Sequence, residues 1–514
     1  MLNKVGSLGG LFSQKVEHPL ADPRELKKII GALPKDNAFK SLDEIAGWLE
    51  SLQAADDIPV DRFHDAVRQL EEAAQPHLKR LTKDYLHAAR LSRTEEKRLW
   101  SINCGFWTLL AGAYERCLAE MAAKPRAAEQ LKAALPAICA HLIGALAAIL
   151  KWEQFHYGPS AGLLWQRLGR ALLRAEEAGA AGKAVQFGAP AGLSSPQQEY
   201  LKAMVFQAAS MDGLLPLEIE LAERLIAHFL PQFVFTAEAV HDCVYWVDLT
   251  LAQAPQRLAR MPEQVLPTLR FFKPGPAHAA LENLLTTLQR GGDIPPDINF
   301  GGQYYPKTVI PVLRHLATYL ASIPPQRKHD RHRVKHRVAV LNGLVNAFVA
   351  FSGEFGGRPA GLQMESWVVE NVSRGGFGAV VSDMPADWLK VGALLALQPE
   401  GGDNWLVGIV RRYHRATESD ARVGIETLAR QAVAVELRQR TASSYAAVGG
   451  VPALLVLEDS APGEVRVVLP PMTFDLRESL EYTAGGKRHL LAPVALVEQT
   501  ADFELARYRQ ELVG

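Results

Sequence analysis

The segment Arg327-Lys328-His329-Asp330-Arg331-His332-Arg333-Val334-Lys335-His336-Arg337 sets six permanent cations against one carboxylate. Arginine presents a planar fork that pairs bidentately with phosphate, reads the O6 and N7 edge of guanine, and stacks on a base. Several arginines on a short approach to a strand therefore suit a ligand that offers both phosphates and guanines. The competing reading is a solvated basic edge strand whose charges resist aggregation.

A second polar constellation follows at Asn371-Val372-Ser373-Arg374-Gly375-Gly376. Asn371 and Ser373 alternate onto one face of a strand, where amide and hydroxyl can hydrogen-bond a base edge or a phosphate. Gly376 lets a ligand or a turning backbone come close. Taken alone, the same residues describe an ordinary turn after a strand.

In this order the two segments resemble the PilZ family, whose pattern is RxxxR, a strand and loop, then (D/N)xSxxG. Trp388 to Leu397 looks like that family's strand into its barrel, and Trp405 to Arg412 with Arg422 to Glu426 looks like its final strand pair. The resemblance spans about residues 326 to 430 and implies an antiparallel β-barrel that binds cyclic di-GMP. It implies that arginines wrap the phosphates and guanines, that Asn371 and Ser373 hold a guanine, and that Gly376 completes the motif. RxxxR spacing occurs twice, as Arg327 with Arg331 and as Arg333 with Arg337. The first pair follows two prolines and the second runs straight into Val338-Ala339-Val340, so both stay in the candidate site with Asn371, Ser373 and Gly376. Asn371 stands where aspartate is frequent and keeps an acceptor.

The elements that must position these residues change character along the chain. Helix signals dominate from about residue 20 to 322. Asp22-Pro23 offers an N-cap and a first-turn proline, Ser41-Leu42-Asp43-Glu44 and Ser92-Arg93-Thr94-Glu95 are capping-box sequences, and Ser195-Pro196-Gln197-Gln198 repeats the device before Leu201, Met204, Val205 and Ala208. After Ile323-Pro324-Pro325 the period becomes two, at Val334, His336, Val338 and Val340. Strand-like runs follow at Ser366 to Val372, Ala379 to Ser382, Ala393 to Gln398, Trp405 to Tyr413 and Val423 to Thr427, then at Val433 to Leu437, Ala453 to Leu457, Val465 to Leu469 and Arg488 to Glu498. Asp502 to Glu511 reads as a closing helix.

The fold class expected is thus multidomain α plus β: a large all-α N-terminal region, a PilZ-like antiparallel β-barrel and a further small β-rich region. With Glu176 to Leu193, rich in glycine and alanine, as a linker, the domains are a helical domain over 1–178, a second bundle over 190–322, the barrel over 326–430 and the β-rich region over 431–514.

Composition limits the function classes. At 514 residues one core is too few, and 56 Lys plus Arg against 56 Asp plus Glu leaves no global field for nucleic acid or an acidic membrane, so an anion site must be local. Four scattered cysteines with no CxxC pair fit a reducing, cytoplasmic setting. Met1 to Ser13 does not read as a signal peptide, and the apolar run Leu135 to Leu150 is short for a membrane span and reads as a buried helix.

Other chemistry is weaker. His329, His332 and His336 have spacings seen at metal sites, but six neighbouring cations make another cation unwelcome. Ser373 to Gly378 lacks the lysine and helix of a phosphate loop, and Glu153, Asp212 and Asp248 are catalytic only if the fold gathers them. The expectation is a receptor and not an enzyme, with no cofactor, with cyclic di-GMP as ligand and a protein partner through the helical region. Ordering of the 327–337 junction by ligand would act as a hinge. The alternatives are a scaffold whose barrel no longer binds nucleotide, and an enzyme with its site in the helical half.

Overall fold

The computed structural model describes residues 18–87, 91–159, 162–187, 192–259, 262, 264–323, 325, 329–353, 364–382, 388–417, 419–439, 450–458 and 460–513. Arg327 lies outside the described residues. The chain divides into two compact units: a helical one, and a β unit that runs from residue 326 to the end and also takes in Tyr157–Pro159 and Met211–Leu215.

In the helical unit, caps start helices where the side chains permit. Asp22 accepts from the Arg24 amide at 2.8 Å and opens Pro23–Ala32. Ser92 and Glu95 form both halves of a capping box ahead of Arg93–Ala123, and Ser195 caps Pro196–Ala208. Ser41 does not act this way, contrary to expectation. Asn37 caps the helix Ala38–Ala54 by accepting from the Lys40 amide at 3.0 Å, so Ser41 falls inside the first turn, fully buried, with its hydroxyl on the Pro34 carbonyl. Leu135–Phe155 is, among the described residues, a helix long and apolar enough to cross a membrane, yet 67 % of that apolar window is buried inside the protein. It packs as the core helix the sequence suggests.

This unit also holds β-structure that helix signals concealed. A hairpin joins β1 (Val185–Phe187) to β2 (Gly192–Ser194), and β3 (Val234–Thr236), β4 (Tyr245–Asp248), β5 (Gln256–Arg257) and β6 (Leu269–Lys273) form a sheet in the order β3-β6-β4-β5. The inner strand β6, Leu269-Arg270-Phe271-Phe272-Lys273, is buried on both faces although it carries two cations, a pattern without helical or alternating period.

The β unit contains two closed barrels of six strands each. The first comprises β7 (His332–Asn342), β8 (Glu365–Ser373), β9 (Gly376–Val381), β10 (Leu394–Pro399), β11 (Leu406–Arg415) and β12 (Ala421–Ala429). The second comprises β13 (Ala432–Gln439), β14 (Val451–Val456), β15 (Glu464–Leu469), β16 (Leu480–Ala484), β17 (Lys487–Gln499) and β18 (Glu504–Val513). Both follow one circuit, in which the first strand neighbours the second, then third, sixth, fifth and fourth before closing on itself. All pairings are antiparallel, and closure removes the exposed strand edges.

Residues 502–511 are therefore not a closing helix. The segment pairs as β18 with both β15 and β17. Ala506 and Tyr508 enter the barrel while Arg507 and Arg509 face solvent, a period of two that the charged residues disguise as a helix surface. The helix Gly343–Phe351 between β7 and β8 also escaped the sequence reading, since Asn342 supplies no side-chain cap.

The first barrel encloses Val338, Trp367, Val369, Phe377, Val410 and Ile425 among others, and Tyr157 is part of that core, its ring 5.1 Å from that of Tyr413. The Tyr157 hydroxyl donates to the Leu214 carbonyl at 2.8 Å and its own carbonyl accepts from the Arg415 amide at 2.7 Å. A separate apolar cluster joins the two barrels, built from Leu341, Leu394 and Ile409 on one side and Leu454, Val468 and Phe503 on the other, with Leu344 and Ala347 of the intervening helix. Arg411 of β11 reaches across to Glu498 of β17, one bond measuring 2.8 Å.

Candidate functional site

His332 to Arg337 of the basic segment open strand β7, which lies beside β8, the strand that carries Asn371 and Ser373. Arg333 pairs with Asn371, and Arg337 pairs with Val368. On the far side of β8, Asn371 pairs with Gly378 and Ser373 with Gly376 on β9.

The direction of Asn371 decides whether the motif can meet a ligand. Counting in twos from buried Trp367 and Val369 would place Asn371 inside the barrel. A bulge between Val369 and Asn371 in the β8–β9 pairing shifts the phase by one residue. Asn371 then shares a side with Gly378, which lies between the core residues Phe377 and Ala379 and so faces outward. A Cβ placed on Gly378 would sit 2.7 Å from Asn371 Nδ2 and 3.0 Å from its Oδ1, so the carboxamide lies over the bare backbone of the glycine. A matching bulge falls between Arg333 and His336 on β7 and keeps Arg333 beside Asn371.

The turn from β8 to β9 is fixed in detail. The Ser373 hydroxyl donates to the Gly376 carbonyl at 3.1 Å. Gly376 has φ +154°, and a Cβ there would collide with the Ile425 carbonyl oxygen of β12, so only glycine fits. The Gly375 carbonyl accepts from the Thr427 amide at 3.0 Å, and a Cβ on Gly375 would lie 3.5 Å from the His329 ring, which places the basic approach over the turn.

Among the described residues Arg333, Lys335 and Arg337 are in no ion pair; Arg337 donates to the Ser366 hydroxyl at 3.1 Å, and Arg333 and Arg337 are both exposed. Asn371 Oδ1 is shielded from solvent and receives no hydrogen bond from the described residues. An unmet buried acceptor costs about 1–3 kcal/mol, which rotation of the carboxamide toward a donor would relieve. Exposed guanidinium groups, an outward carboxamide and a glycine floor thus lie on one face, chemistry suited to an anion that also carries a purine.

Arg333, Arg337, Asn371, Ser373 and Gly376 are thus brought together, and Arg331 immediately precedes β7. Sequence reasoning missed Gly378, whose alternation with Gly376 was the available signal, and Arg430, whose Nη2 donates to the Arg374 carbonyl at 3.0 Å from 56 residues away. Of the scattered acids, Asp248 accepts from the nearby Thr250 amide, and Asp212 lies 3.8 Å from Arg412 of β11.

Residues 24–239 match the profile described as the N-terminal domain of the cyclic-di-GMP receptor FimW. Residues 362–433 match the profile described as the middle PilZ domain of the same receptor. The chain belongs to the cyclic-di-GMP receptor FimW family. This is a receptor family and not a known enzyme family, and its name carries a cyclic-di-GMP ligand. The FimW PilZ match takes in Asn371, Ser373 and Gly376 and strands β8 to β12, starts after the basic segment, and ends at the head of β13. No curated protein matches the chain.

Proposed function

We propose that this chain binds cyclic di-GMP on the outer face of β7, β8 and β9 and passes the binding event to its helical unit. The observation that carries the reading is the outward cross-strand pair Arg333 and Asn371, the second turned out by the bulge on β8 and the first free of carboxylate partners among the described residues. Arg333 and Arg337 take the phosphates and a guanine edge, Asn371 and Ser373 hold a base, and Gly376 with Gly378 lets the ligand approach the backbone. Arg331 and Arg327 complete the clamp from the approach to β7. Of the two RxxxR pairs, Arg333 with Arg337 is favoured because both lie on the strand adjoining the motif.

Coupling follows from charge. Crowded guanidinium groups repel one another, and a ligand with two phosphates removes that repulsion at the head of β7, where the chain enters the β unit. Tyr157–Pro159 and Met211–Leu215 belong to the β unit although the chain on either side of them is helical, so a change in the first barrel acts on helical chain at further covalent points. The ligand shifts the arrangement only as far as it binds the two states with different affinity. The helical unit then presents the signal to a protein partner, in the cytoplasm.

Fluorescently labelled cyclic di-GMP, followed by anisotropy with the full chain, tests the reading. Binding is expected that unlabelled cyclic di-GMP displaces and GTP does not. Equal displacement by GTP would mean a general anion surface, and the receptor reading would fall.

A further inference from the structure

The second barrel repeats the circuit of the first, strand for strand. In the first, the turn between the second and third strands carries Asn371-x-Ser373-x-x-Gly376; in the second, the turn between β14 and β15 carries Glu458-x-Ser460-x-x-Gly463. The same polar spacing falls at the same point of the same topology, with a carboxylate in place of the amide. Ahead of β13, from Gly424 to Gln431, the single permanent cation is Arg430, where the first barrel has its cluster. Arg466 of β15 also reaches this turn, but its guanidinium donates to the Glu458 carbonyl at 2.9 Å, and the added carboxylate repels an anion that the turn would have to hold.

These residues are engaged elsewhere. Glu458 Oε1 accepts from the Arg430 amide at 3.0 Å, and the Arg430 guanidinium donates to the Arg374 carbonyl at 3.0 Å. The neighbouring carbonyl, of Gly375, accepts from the Thr427 amide at 3.0 Å. Arg374 and Gly375 are the two residues between Ser373 and Gly376. The turn of the first barrel is therefore held at the Gly375 carbonyl by its own strand β12 and at the Arg374 carbonyl by Arg430, which lies between β12 and β13.

We propose that the second barrel is a duplicate of the first that has lost the nucleotide site and instead holds the ligand turn in shape, with Arg430 as positioning residue and Glu458 as its anchor. The inference rests on the reading of the Asn371–Gly376 turn as a ligand site. A turn held in its binding shape before the ligand arrives lowers the ordering cost of binding.

Full-length wild type, Arg430→Ala, Glu458→Ala and Glu458→Gln are compared in two measurements. In nucleotide-free protein, hydrogen exchange of the 373–378 segment is expected to quicken in both alanine variants and to stay near wild type in Glu458→Gln, which retains an acceptor. In calorimetric titrations with cyclic di-GMP, the alanine variants are expected to bind roughly two- to tenfold more weakly, with Glu458→Gln restored. Unchanged exchange in Arg430→Ala overturns the proposal whatever the nucleotide does. Nucleotide uptake that survives Arg333→Ala/Arg337→Ala and vanishes on Glu458→Ala also overturns it, since the second barrel would then be a receptor in its own right. Exchange that behaves as stated, with no nucleotide uptake by wild type, upholds the brace and removes the receptor reading instead.

Discussion

Arg333 on β7 stands directly across from Asn371 on β8, and both belong to the outer surface of the barrel, Arg333 by alternation with the core residues Val338 and Val340 and Asn371 because β8 carries a bulge. A permanent cation and a carboxamide at one rung of a ladder can engage a phosphate and a base of the same ligand. Affinity for cyclic di-GMP should accordingly fall as ionic strength rises from about 0.05 to 0.5 M, because exposed charges are screened over ~4–14 Å in that range. A salt-independent dissociation constant would mean that the arginines do not meet phosphate.

The two outward glycines of β9 separate stability from binding. A Cβ at Gly376 meets backbone, the Ile425 carbonyl, which cannot move away alone. Gly376→Ala should destabilise the β unit by about 1–3 kcal/mol in chemical denaturation. At Gly378 the obstruction is the Asn371 side chain, which can rotate aside. Gly378→Ala should cost under ~1 kcal/mol of stability and weaken ligand binding about tenfold, through the displaced carboxamide. Equal effects of the two substitutions on stability would contradict the outward placement of Asn371.

The apolar cluster joining the barrels makes them depend on one another. Leu454 is fully buried in it, and Leu454→Ala should cost ~2–5 kcal/mol through lost contacts and a cavity. Hydrogen exchange should quicken in β10 of the first barrel as well as in β14. Loss of protection confined to β14 would mean that the barrels are energetically separate.

The helical unit contains a titrating pair. Burial alone would depress the His141 pKa, but the Glu71 carboxylate, 2.9 Å from Nδ1, outweighs it and the net shift is upward. A group whose folded pKa lies above its unfolded value contributes stability that is complete below the unfolded pKa, near 6.5, and is lost as pH rises through the folded value. The stability difference between wild type and His141→Gln should therefore be largest in mild acid and shrink as pH rises above about 6.5. A difference that grows with pH would reverse the assignment.

Much of this architecture is legible in the residues. Asp22, Ser92 and Ser195 announce helices because a short polar side chain meets an unpaired amide wherever the local backbone allows it. The period of two at Val338 and Val340 announces β7. Ser41 misled because Asn37, four residues earlier, satisfies the same requirement first. Residues 504–513 misled because Arg507, Arg509 and Glu511 alternate outward from a strand whose partners, β15 and β17, are known only once the chain has folded. The motif at Asn371 to Gly376 was visible, but its facing was not: simple alternation from Trp367 puts Asn371 in the core, and the extra residue that reverses it is a property of strand pairing. Arg430 was invisible for the same reason, since its contact with the Arg374 carbonyl is nonlocal.

The most direct measurement is isothermal titration of the full chain with cyclic di-GMP, set beside the Arg333→Ala/Arg337→Ala form. Saturable heat is predicted for wild type, and at least about a hundredfold loss of affinity for the double variant, as expected for two charge-assisted contacts. No heat with wild type, or undiminished affinity in a folded double variant, would contradict the account.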